Sequence, residues 1–245
     1  MKRVLVTGAG VRIGRHIALG LAEDGWQVAV HYNRSADAAD EVVDLIRARG
    51  GEAESVGADL SDRTQVVALI AEAAGTLGGP ITGLVNNASV FVADSAEDPL
   101  HYADNIAVNL RAPILLTAEF AAQTDSGAVV HMLDQRVLKP NPLYFSYTLS
   151  KAALHWATKT QAQALAPRIR VNAVGPGPTL RNTDQADGEF EAEAAATPLG
   201  EGSPPETIVD AVRYLMSATA VTGQMIAVDG GQHLLWQTPD LLLGP

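Results

Sequence analysis

The chain of 245 residues contains no cysteine, and that absence excludes several kinds of chemistry. Without thiolates there are no disulfides, no cysteine-ligated metal sites and no cysteine nucleophile. No apolar run approaches the roughly 18 residues that cross a bilayer, and the apolar run after Met1-Lys2-Arg3 is too short for a signal peptide. We therefore expect a protein without membrane spans that is cytoplasmic.

Basic residues are also scarce, because 17 Lys and Arg stand against 28 Asp and Glu, for a formal net charge of −11. This balance disfavours nucleic acids and anionic membranes as partners. None of the 6 histidines falls in a metal-binding pattern such as His-Glu-x-x-His, so we expect no metal. With 47% hydrophobic residues the chain can fold, and we expect one domain over residues 1–245.

Short β-branched runs alternate with longer Ala- and Leu-rich stretches. The predicted strands cover residues 4–7, 27–32, 53–56, 83–86, 128–133, 169–174 and 225–228. The predicted helices cover residues 13–24, 36–49, 63–77, 100–123, 145–166 and 205–217. Most strands are continuous apolar runs, which is typical of parallel strands buried on both faces. The predicted fold class is α/β, a single Rossmann-type, doubly wound parallel sheet with helices on both faces.

One segment, residues 179–205, interrupts the alternation with Gly, Pro, Ala and acidic residues. Two interpretations stay open for it. It is either a solvated loop with a short helix, or a substrate loop that acts as a lid beside the site.

A glycine-rich turn, with Gly8, Arg12, Ile13 and Gly14, directly follows the first predicted strand and opens the first predicted helix. Glycines there allow a tight turn and let a backbone approach a pyrophosphate. The helix N-terminus supplies unpaired N–H groups for the phosphates. This context favours a nucleotide site over a purely structural turn.

Three polar residues directly follow the second predicted strand, namely Asn33, Arg34 and Ser35. NAD-binding folds usually place an acidic residue here to hold the ribose 2′-hydroxyl. Arg34 and Ser35 suit a 2′-phosphate instead, and Arg12 would reach the same charge. We therefore expect NADPH/NADP+ as the cofactor. Asp59 and Leu60 after the third strand are a candidate clamp on the adenine, although a lone Asp such as Asp59 is more often a helix N-terminal residue.

Tyr147 and Lys151 are four residues apart, so they share one face of a predicted helix. We expect the ammonium to lower the pKa of the phenol, which would suit Tyr147 to general acid–base catalysis. Asn109 precedes Pro113 by four residues, so the carbonyl of Asn109 lacks its helical N–H partner. The freed carbonyl would hold a water, unless the proline only kinks a packed helix.

These motifs, in this order, resemble the short-chain dehydrogenase/reductase family from the first strand to Gly230-Gly231. The matching residues are the glycine turn, Asn86-Asn87-Ala88, Asn109, Tyr147-x-x-x-Lys151 and Pro176-Gly177. The resemblance implies that Lys151 holds the nicotinamide ribose and that Asn109 links water to Lys151. It also places Asn87, Ala88, Pro176, Gly177 and Thr179 at the cofactor.

Asp134 departs from the usual family pattern, which has Ser thirteen residues before the catalytic Tyr. An ionised Asp would repel the developing oxyanion of a ketone, whereas it suits a substrate with protonatable nitrogen. With Asp134, Arg-Ser after the second strand and Asn-Ala-Ser-x-Phe after the fourth, the chain resembles the pteridine reductases. That resemblance implies Ser89, Phe91, Asp134 and Tyr147 as substrate residues, with Phe91 stacked on the pterin.

Each of these residues also has a structural interpretation. Phe91 is alternatively a core aromatic residue, Ser89 a turn residue, and Asp134 a cap or the partner of Arg136. We expect Arg136 itself to lie at the surface or in an interface.

The predicted function is an NADPH-dependent reductase that transfers a hydride to a pterin, taking a dihydropteridine to a tetrahydropteridine. One alternative is an NADPH-dependent carbonyl reductase of the same family, acting on a 3-oxoacyl thioester or another ketone. A second alternative is an NADP(H)-sensing binding protein. The resemblance implies a homotetramer, and we expect the apolar tail, residues 234–236 and 241–243, to pack against a subunit or the core.

Overall fold

A seven-stranded parallel sheet is the centre of a computed structural model that describes residues 1–182 and 185–236. The strands are β1 (Arg3–Val6), β2 (Gln27–Tyr32), β3 (Ala53–Gly57), β4 (Gly83–Asn86), β5 (Gly127–Met132), β6 (Ile169–Pro176) and β7 (Met225–Val228). Their order is β3-β2-β1-β4-β5-β6-β7, and every neighbouring pair is parallel. The predicted doubly wound sheet is confirmed.

Helices cover both faces of the sheet. They are α1 (Arg12–Glu23), α2 (Ala36–Ala48), α3 (Arg63–Thr76), α4 (Tyr102–Asn105), α5 (Ala112–Gln123), α6 (Phe145–Leu165), α7 (Glu189–Ala195) and α8 (Pro205–Ser217). Buried side chains of α1, α2 and α8 form one apolar core against the sheet. A second core joins α3 and α5 to the opposite face. Both faces of the strands are therefore buried, which explains their continuous apolar sequences.

The strand order reverses between β1 and β4, which are neighbours in the sheet although β2 and β3 lie between them in sequence. In open α/β sheets the crevice at such a switch point, beyond the carboxyl ends of the strands, is where ligands bind. The glycine turn follows β1, and the Asn87 segment follows β4. The topology therefore brings these two predicted cofactor segments to one place.

The predicted helix over residues 100–123 is three pieces in the structure. Between α4 and α5, Ile106–Arg111 forms a π-helical turn that contains Asn109. Pro113 lies in the first turn of α5 and has no N–H for the carbonyl four residues earlier. A π-helical turn pairs each carbonyl with the N–H five residues on, so it does not need that missing donor.

The segment 179–205 contains α7, so its expected short helix is present. Near the end of the described chain, Leu234 is 62% and Trp236 is 68% exposed, so these two side chains do not pack on the core. The rest of the expected apolar tail, residues 241–243, lies outside the described residues. Among the helices that the structure describes, none is long and apolar enough to cross a membrane.

Candidate active site

A cleft of about 600 Å³ opens at the carboxyl ends of the strands. It is lined by the following predicted site residues: Gly8, Arg12, Ile13, Gly14, Asn87, Ala88, Ser89, Phe91, Asp134, Tyr147, Lys151, Pro176, Gly177 and Thr179. Sequence reasoning missed several other lining residues, among them Arg136, Tyr144, Gln185, Phe190 and Glu193. The segment after β6 and helix α7 form one wall, so residues 179–205 do border the cleft.

Two glycines of the glycine turn have no room for a side chain. Gly8 has a φ of +62°, and a Cβ on Gly14 would lie 2.1 Å from the carbonyl oxygen of Gly8. Helix α1 has no side-chain cap at its N-terminus, so the N–H groups of its first turn keep their bonding capacity for a ligand. A close backbone approach and an uncapped helix N-terminus are what a pyrophosphate needs. The residues present therefore fit a dinucleotide.

Asn87 and Thr7 tie this turn to the end of β4. The Asn87 Nδ2 donates to the carbonyls of Thr7 at 2.9 Å and Gly8 at 3.1 Å. The Thr7 hydroxyl oxygen accepts from the backbone N–H groups of Asn87 at 2.9 Å and Ala88 at 3.0 Å. The two segments that flank the strand-order switch are therefore one hydrogen-bonded unit.

Arg12 contacts the segment after β6. Its guanidinium donates to the carbonyls of Arg181 at 2.8 Å and Leu180 at 3.2 Å, and to Asn182 Oδ1 at 2.8 Å. Acceptors on the segment after β6 surround this charge, so the described contacts tie Arg12 to the wall of the cleft. The expectation that Arg12 and Arg34 meet at one phosphate stays a prediction.

The segments after β2 and β3 lie beside the cleft and do not line it. Asn33, Arg34 and Ser35 are exposed, so Arg34 and Ser35 are accessible to a phosphate. Hydrogen bonds from Ser61 lower the pKa of Asp59, and the charge of Arg34 lowers it further. The side chain of Leu60 is buried in the second core, which leaves its main chain for contact with a ligand.

Asp134 is the central hydrogen-bond acceptor at the end of the cleft where Tyr147 lies. Its Oδ2 accepts from the Tyr147 hydroxyl at 2.9 Å and from Arg136 at 3.2 Å, and its Oδ1 accepts from the Arg136 backbone N–H at 2.8 Å. Asp134 therefore caps a short 3₁₀ turn, pairs with Arg136 and faces the cleft at the same time. The structural and the functional interpretations of Asp134 are both present in this geometry.

Arg136 lies in the cleft wall, so its predicted surface or interface position is wrong. Its side chain is only 16% exposed because it pairs with Asp134. Phe91 stacks on Tyr144 with ring centroids 4.4 Å apart and an 8° interplanar angle. The Arg136 guanidinium carbon lies 5.3 Å from the Phe91 centroid and 5.0 Å from that of Tyr144, which places it beside the stack. Tyr144 could have been found from its position three residues before Tyr147.

The predicted lowering of the Tyr147 pKa is wrong. Burial raises the pKa of Tyr147 well above its usual range, and the charge of Asp134 and the hydrogen bond to it raise it further. Lys151 donates to the Met132 carbonyl at 2.8 Å, with its Nζ 5.6 Å from the Tyr147 ring centroid. Burial lowers the pKa of Lys151 to about 8, against the opposing charge of Asp134. Tyr147 is therefore a protonated phenol at neutral pH.

Asn109 is fully buried behind the cleft, where its side chain holds the segment that bears Phe91. Its Oδ1 accepts from the N–H of Val90 and its Nδ2 donates to the carbonyl of Val90, both at 2.8 Å. The Asn109 Oδ1 also accepts from the Ser89 hydroxyl at 3.1 Å, and the Nδ2 donates to Ser150 on α6 at 3.2 Å. These contacts give the Asn109 side chain a positioning role, and its predicted link to Lys151 through water stays a prediction.

The turn after β6 closes the cleft opposite the glycine turn. Gly177 donates its N–H to the Val228 carbonyl at 2.9 Å, and a Cβ on Gly177 would lie 2.6 Å from the Cα of Asp229. The Thr179 hydroxyl donates to the Gly177 carbonyl at 3.0 Å. Beyond this turn, Glu193 on α7 accepts from Gln185 at 3.2 Å and from Gln232 at 3.0 Å, which fixes the outer wall.

Comparison with known proteins places this site in a family. Residues 8–233 match a family model described as enoyl-(acyl carrier protein) reductase. The chain is 34% identical over 245 residues to the 3-oxoacyl-[acyl-carrier-protein] reductase FabG of Staphylococcus aureus, covering 95% of this chain and 98% of that protein. The chain belongs to the short-chain dehydrogenase/reductase family. With the Tyr147–Lys151 pair and a glycine turn that fits a dinucleotide, this family member is an NADPH-dependent oxidoreductase. An intact pair of this kind disfavours the alternative of a sensing protein.

Two further members of the short-chain dehydrogenase/reductase family are similar over nearly the whole chain. The crystal structure of FolM alternative dihydrofolate reductase 1 from Brucella canis, complexed with NADP, superposes with a TM-score of 0.94. It is 45% identical and covers 98% of this chain and 97% of that one. An uncharacterized oxidoreductase of Methylorubrum extorquens is 37% identical over 243 residues, covering 94% of this chain and 97% of that protein. The FabG and FolM relatives are named for different substrates, so family membership alone does not decide the substrate of this chain.

Proposed function

We propose that this family member reduces a pterin, converting a dihydropteridine into a tetrahydropteridine with NADPH. The observation that supports this most is the 2.9 Å hydrogen bond from the Tyr147 hydroxyl to Asp134 in the cleft wall. A carboxylate at this point repels the negative charge that develops on a ketone oxygen. The 45% identity to a protein described as an alternative dihydrofolate reductase favours the same conclusion.

The Asp134 carboxylate suits the hydrogen-bonding pattern of a pterin. An ionised carboxylate only accepts hydrogen bonds, and a pterin ring presents N–H and NH₂ donors. Arg136 balances the charge of Asp134 within the wall, so the carboxylate remains paired when the cleft loses water. Asp134 therefore binds a ring that carries nitrogen better than it binds a ketone.

The aromatic wall suits a flat substrate. Phe91 already stacks on Tyr144 in a nearly parallel arrangement, and its ring meets Tyr147 edge-on with centroids 4.7 Å apart. Flat π systems favour such offset and edge-on contacts. We expect the pterin ring to pack against Phe91, with Ser89 at the entrance and the Asn109 side chain holding that segment in place.

The reaction adds a hydride to the ring carbon of a C=N bond and a proton to the adjacent nitrogen. NADPH, when bound, supplies the hydride. Tyr147 is the proposed proton donor because its hydroxyl is protonated at neutral pH and hydrogen-bonds to Asp134 in the cleft wall. The raised pKa makes the free phenol a weak acid, so the transfer relies on Asp134, which orients the hydroxyl or passes on a proton from water. Lys151, held by the Met132 carbonyl, is placed to bind the nicotinamide ribose.

Other residues would hold the rest of the cofactor. The phosphates would lie on the turn of Gly8, Ile13 and Gly14, and the 2′-phosphate on Arg34 and Ser35, next to Asn33. The adenine would lie against Asp59 and the main chain of Leu60. The nicotinamide side would meet Asn87, Ala88, Pro176, Gly177 and Thr179, which line the cleft.

Reduction of a ketone is the second candidate function. The Tyr147–Lys151 pair serves either chemistry, and the 34% identity to a 3-oxoacyl-[acyl-carrier-protein] reductase favours it. Asp134 is the feature that separates the two candidates, because a ketone oxygen needs hydrogen-bond donors where this chain has a carboxylate.

Oxidation of NADPH by the purified protein tests the proposal. The protein is offered a 7,8-dihydropterin and, separately, a short 3-oxoacyl thioester. We expect rapid turnover of the dihydropterin and slow or no turnover of the thioester. Turnover of the thioester alone would overturn the pterin assignment and leave the general reductase assignment in place.

We also propose that the protein is a homotetramer. Leu149 and Trp156 on α6 are 42% and 67% exposed, and Ile114 on α5 is 37% exposed. Large apolar side chains on neighbouring long helices are typical of an interface between subunits. Sedimentation equilibrium tests this, and a monomer at all concentrations would contradict it.

A further inference from the structure

His31, near the end of β2, joins three segments that meet beside the cleft. Its Nδ1 accepts from the N–H of Gly8 at 3.0 Å, and its Nε2 lies 3.1 Å from the carbonyl oxygen of Ala58. Its own carbonyl accepts from the N–H of Ala9 at 2.9 Å. One residue therefore binds the glycine turn through two successive N–H groups and the end of β3 through its ring.

These partners determine the tautomer of the ring. A carbonyl oxygen only accepts, so Nε2 must carry the proton that it donates to Ala58. Nδ1 is then unprotonated and free to accept from Gly8. Burial lowers the pKa of His31 to about 4, against the opposing effect of the Ala58 hydrogen bond. The ring is neutral at physiological pH, with both nitrogens engaged.

Asn87 completes the arrangement from the opposite side. The two peptide groups that flank Gly8 donate their N–H groups to His31 and receive hydrogen bonds from Asn87 Nδ2 at their carbonyls. Gly8 has a φ of +62°, and a Cβ there would lie 3.0 Å from the Cα of Ala88. The orientation of both peptides is thus set by two residues: His31, through its ring and its main-chain carbonyl, and Asn87, through its side chain.

The three joined segments are the ones expected to hold the adenosine half of the cofactor. Gly8 starts the phosphate turn, Asn33, Arg34 and Ser35 follow His31 within four residues, and Asp59 follows Ala58 directly. Because His31 occupies the N–H groups of Gly8 and Ala9, the first turn of α1 is left as the backbone anion site.

We propose that His31 is a positioning residue for the adenosine half of NADPH, which fixes the glycine turn relative to the ends of β2 and β3. Replacing the ring by an apolar side chain leaves the Gly8 N–H and the Ala58 carbonyl without partners. The turn and the two strand ends then lose their fixed spacing. Tyr147, Lys151 and Asp134 lie at the other end of the cleft, so binding falls while the reaction of the bound complex persists.

The test compares His31→Leu with His131→Leu. His131, on β5, is an equally buried histidine whose ring nitrogens lie 3.1 Å from Asn86 Nδ2 and 3.0 Å from Gln161 Oε1. Dissociation constants are measured by calorimetry for adenosine 2′,5′-bisphosphate and for NADPH. We expect His31→Leu to weaken both about tenfold, with kcat at saturating NADPH within about twofold of the parent. His131→Leu should lose similar stability and leave the bisphosphate affinity unchanged.

Equal bisphosphate affinity in folded His31→Leu and the parent would overturn the proposal, as would equal weakening by His131→Leu. A second pair of variants covers the case in which His31→Leu does not fold. An Asn side chain reaches about as far as Nδ1, toward Gly8, whereas a Gln side chain reaches about as far as Nε2, toward Ala58. We expect His31→Asn to bind the bisphosphate within about threefold of the parent and His31→Gln about tenfold more weakly. Identical affinities for the two variants would contradict the role assigned to the Gly8 contact.

Discussion

The glycine turn and the Asp134 cluster lie at the same edge of the sheet, yet they are held together differently. Neutral groups hold the glycine turn, since its peptides bond to the His31 ring and to Asn87. Charged groups hold the other end, where Asp134, Arg136 and the raised pKa of Tyr147 depend on one another. On the proposed function, the first region is a cradle for the cofactor that would serve any substrate, whereas the second would select one substrate over another.

Tyr147→Phe should cause the largest loss of turnover, through the Asp134 cluster. Removing the phenol removes the proton donor, so we expect turnover to fall by about 100- to 10,000-fold. NADPH affinity should stay within about twofold, because the cradle is untouched. Steady-state rates and fluorescence titration measure the two quantities, with Tyr214→Phe on α8 as the control at a half-exposed tyrosine. Wild-type turnover with normal NADPH binding would refute the role of Tyr147.

Gly14→Ala should instead weaken NADPH binding, through the glycine turn. The new Cβ would lie 2.1 Å from the Gly8 carbonyl oxygen and 2.5 Å from Asn87 Nδ2, so the backbone must shift. We expect NADPH to bind on the order of 10- to 100-fold more weakly. Gly75→Ala on α3 is the matched control, since nothing lies within 4 Å of its Cβ. Unchanged NADPH affinity in Gly14→Ala would show that the turn does not hold the cofactor.

Acid should destabilise the protein through two buried histidines, His31 beside the glycine turn and His131 on β5. Burial holds the pKa of His31 and of His131 at about 4, below the unfolded value of 6.5. Stability is therefore fully present above pH 6.5 and is lost as the pH falls toward 4, because the unfolded state binds the protons first. By pH 5 we expect a loss of about 2 kcal/mol per histidine in the free energy of unfolding.

Denaturant unfolding at pH 7 and pH 5 measures this loss. The double variant His31→Asn with His131→Asn should lose markedly less stability between the two pH values than the parent does. An unchanged difference would mean that neither histidine is responsible for the acid sensitivity.

Phe91→Ala should have a smaller effect, confined to substrate binding. The loss of one stacking wall should raise the KM for a 7,8-dihydropterin about tenfold, with little change in the KM for NADPH. Phe91→Leu keeps apolar volume without a π face and should rescue less than half of that loss in free energy. A dihydropterin KM that does not respond to either change would place the substrate elsewhere in the cleft.

The sequence predicted the fold well because the strands are continuous apolar runs, and three of the seven predicted strands have the bounds seen in the structure. It also placed Gly14, Asp134 and Tyr147 at one cleft. It could not predict the direction of the Tyr147 pKa, because the burial of the phenol and its contact with Asp134, which together raise the pKa, follow from the fold and not from the spacing of Tyr147 and Lys151.

Arg136 and His31 show that the partners of buried polar side chains could not be predicted from the sequence. Arg136 is a charged residue that sequence places on a surface, and only its pairing with Asp134 explains its burial. His31 stands in an apolar strand, a signal that a buried polar group needs partners, but its partners are 23 and 27 residues away. Contacts at such separations follow from the strand order and not from local pattern.

We propose that Asp134 selects the pterin over a ketone, and the kcat/KM for a 7,8-dihydropterin divided by that for a 3-oxoacyl thioester measures this selection. The ratio is measured for the parent, for Asp134→Ser and for a control at an exposed carboxylate, Asp210→Asn. We expect Asp134→Ser to lower the ratio at least about 100-fold, by slowing turnover of the dihydropterin and raising that of the thioester, and Asp210→Asn to leave it unchanged. A ratio that Asp134→Ser does not move would contradict the claim.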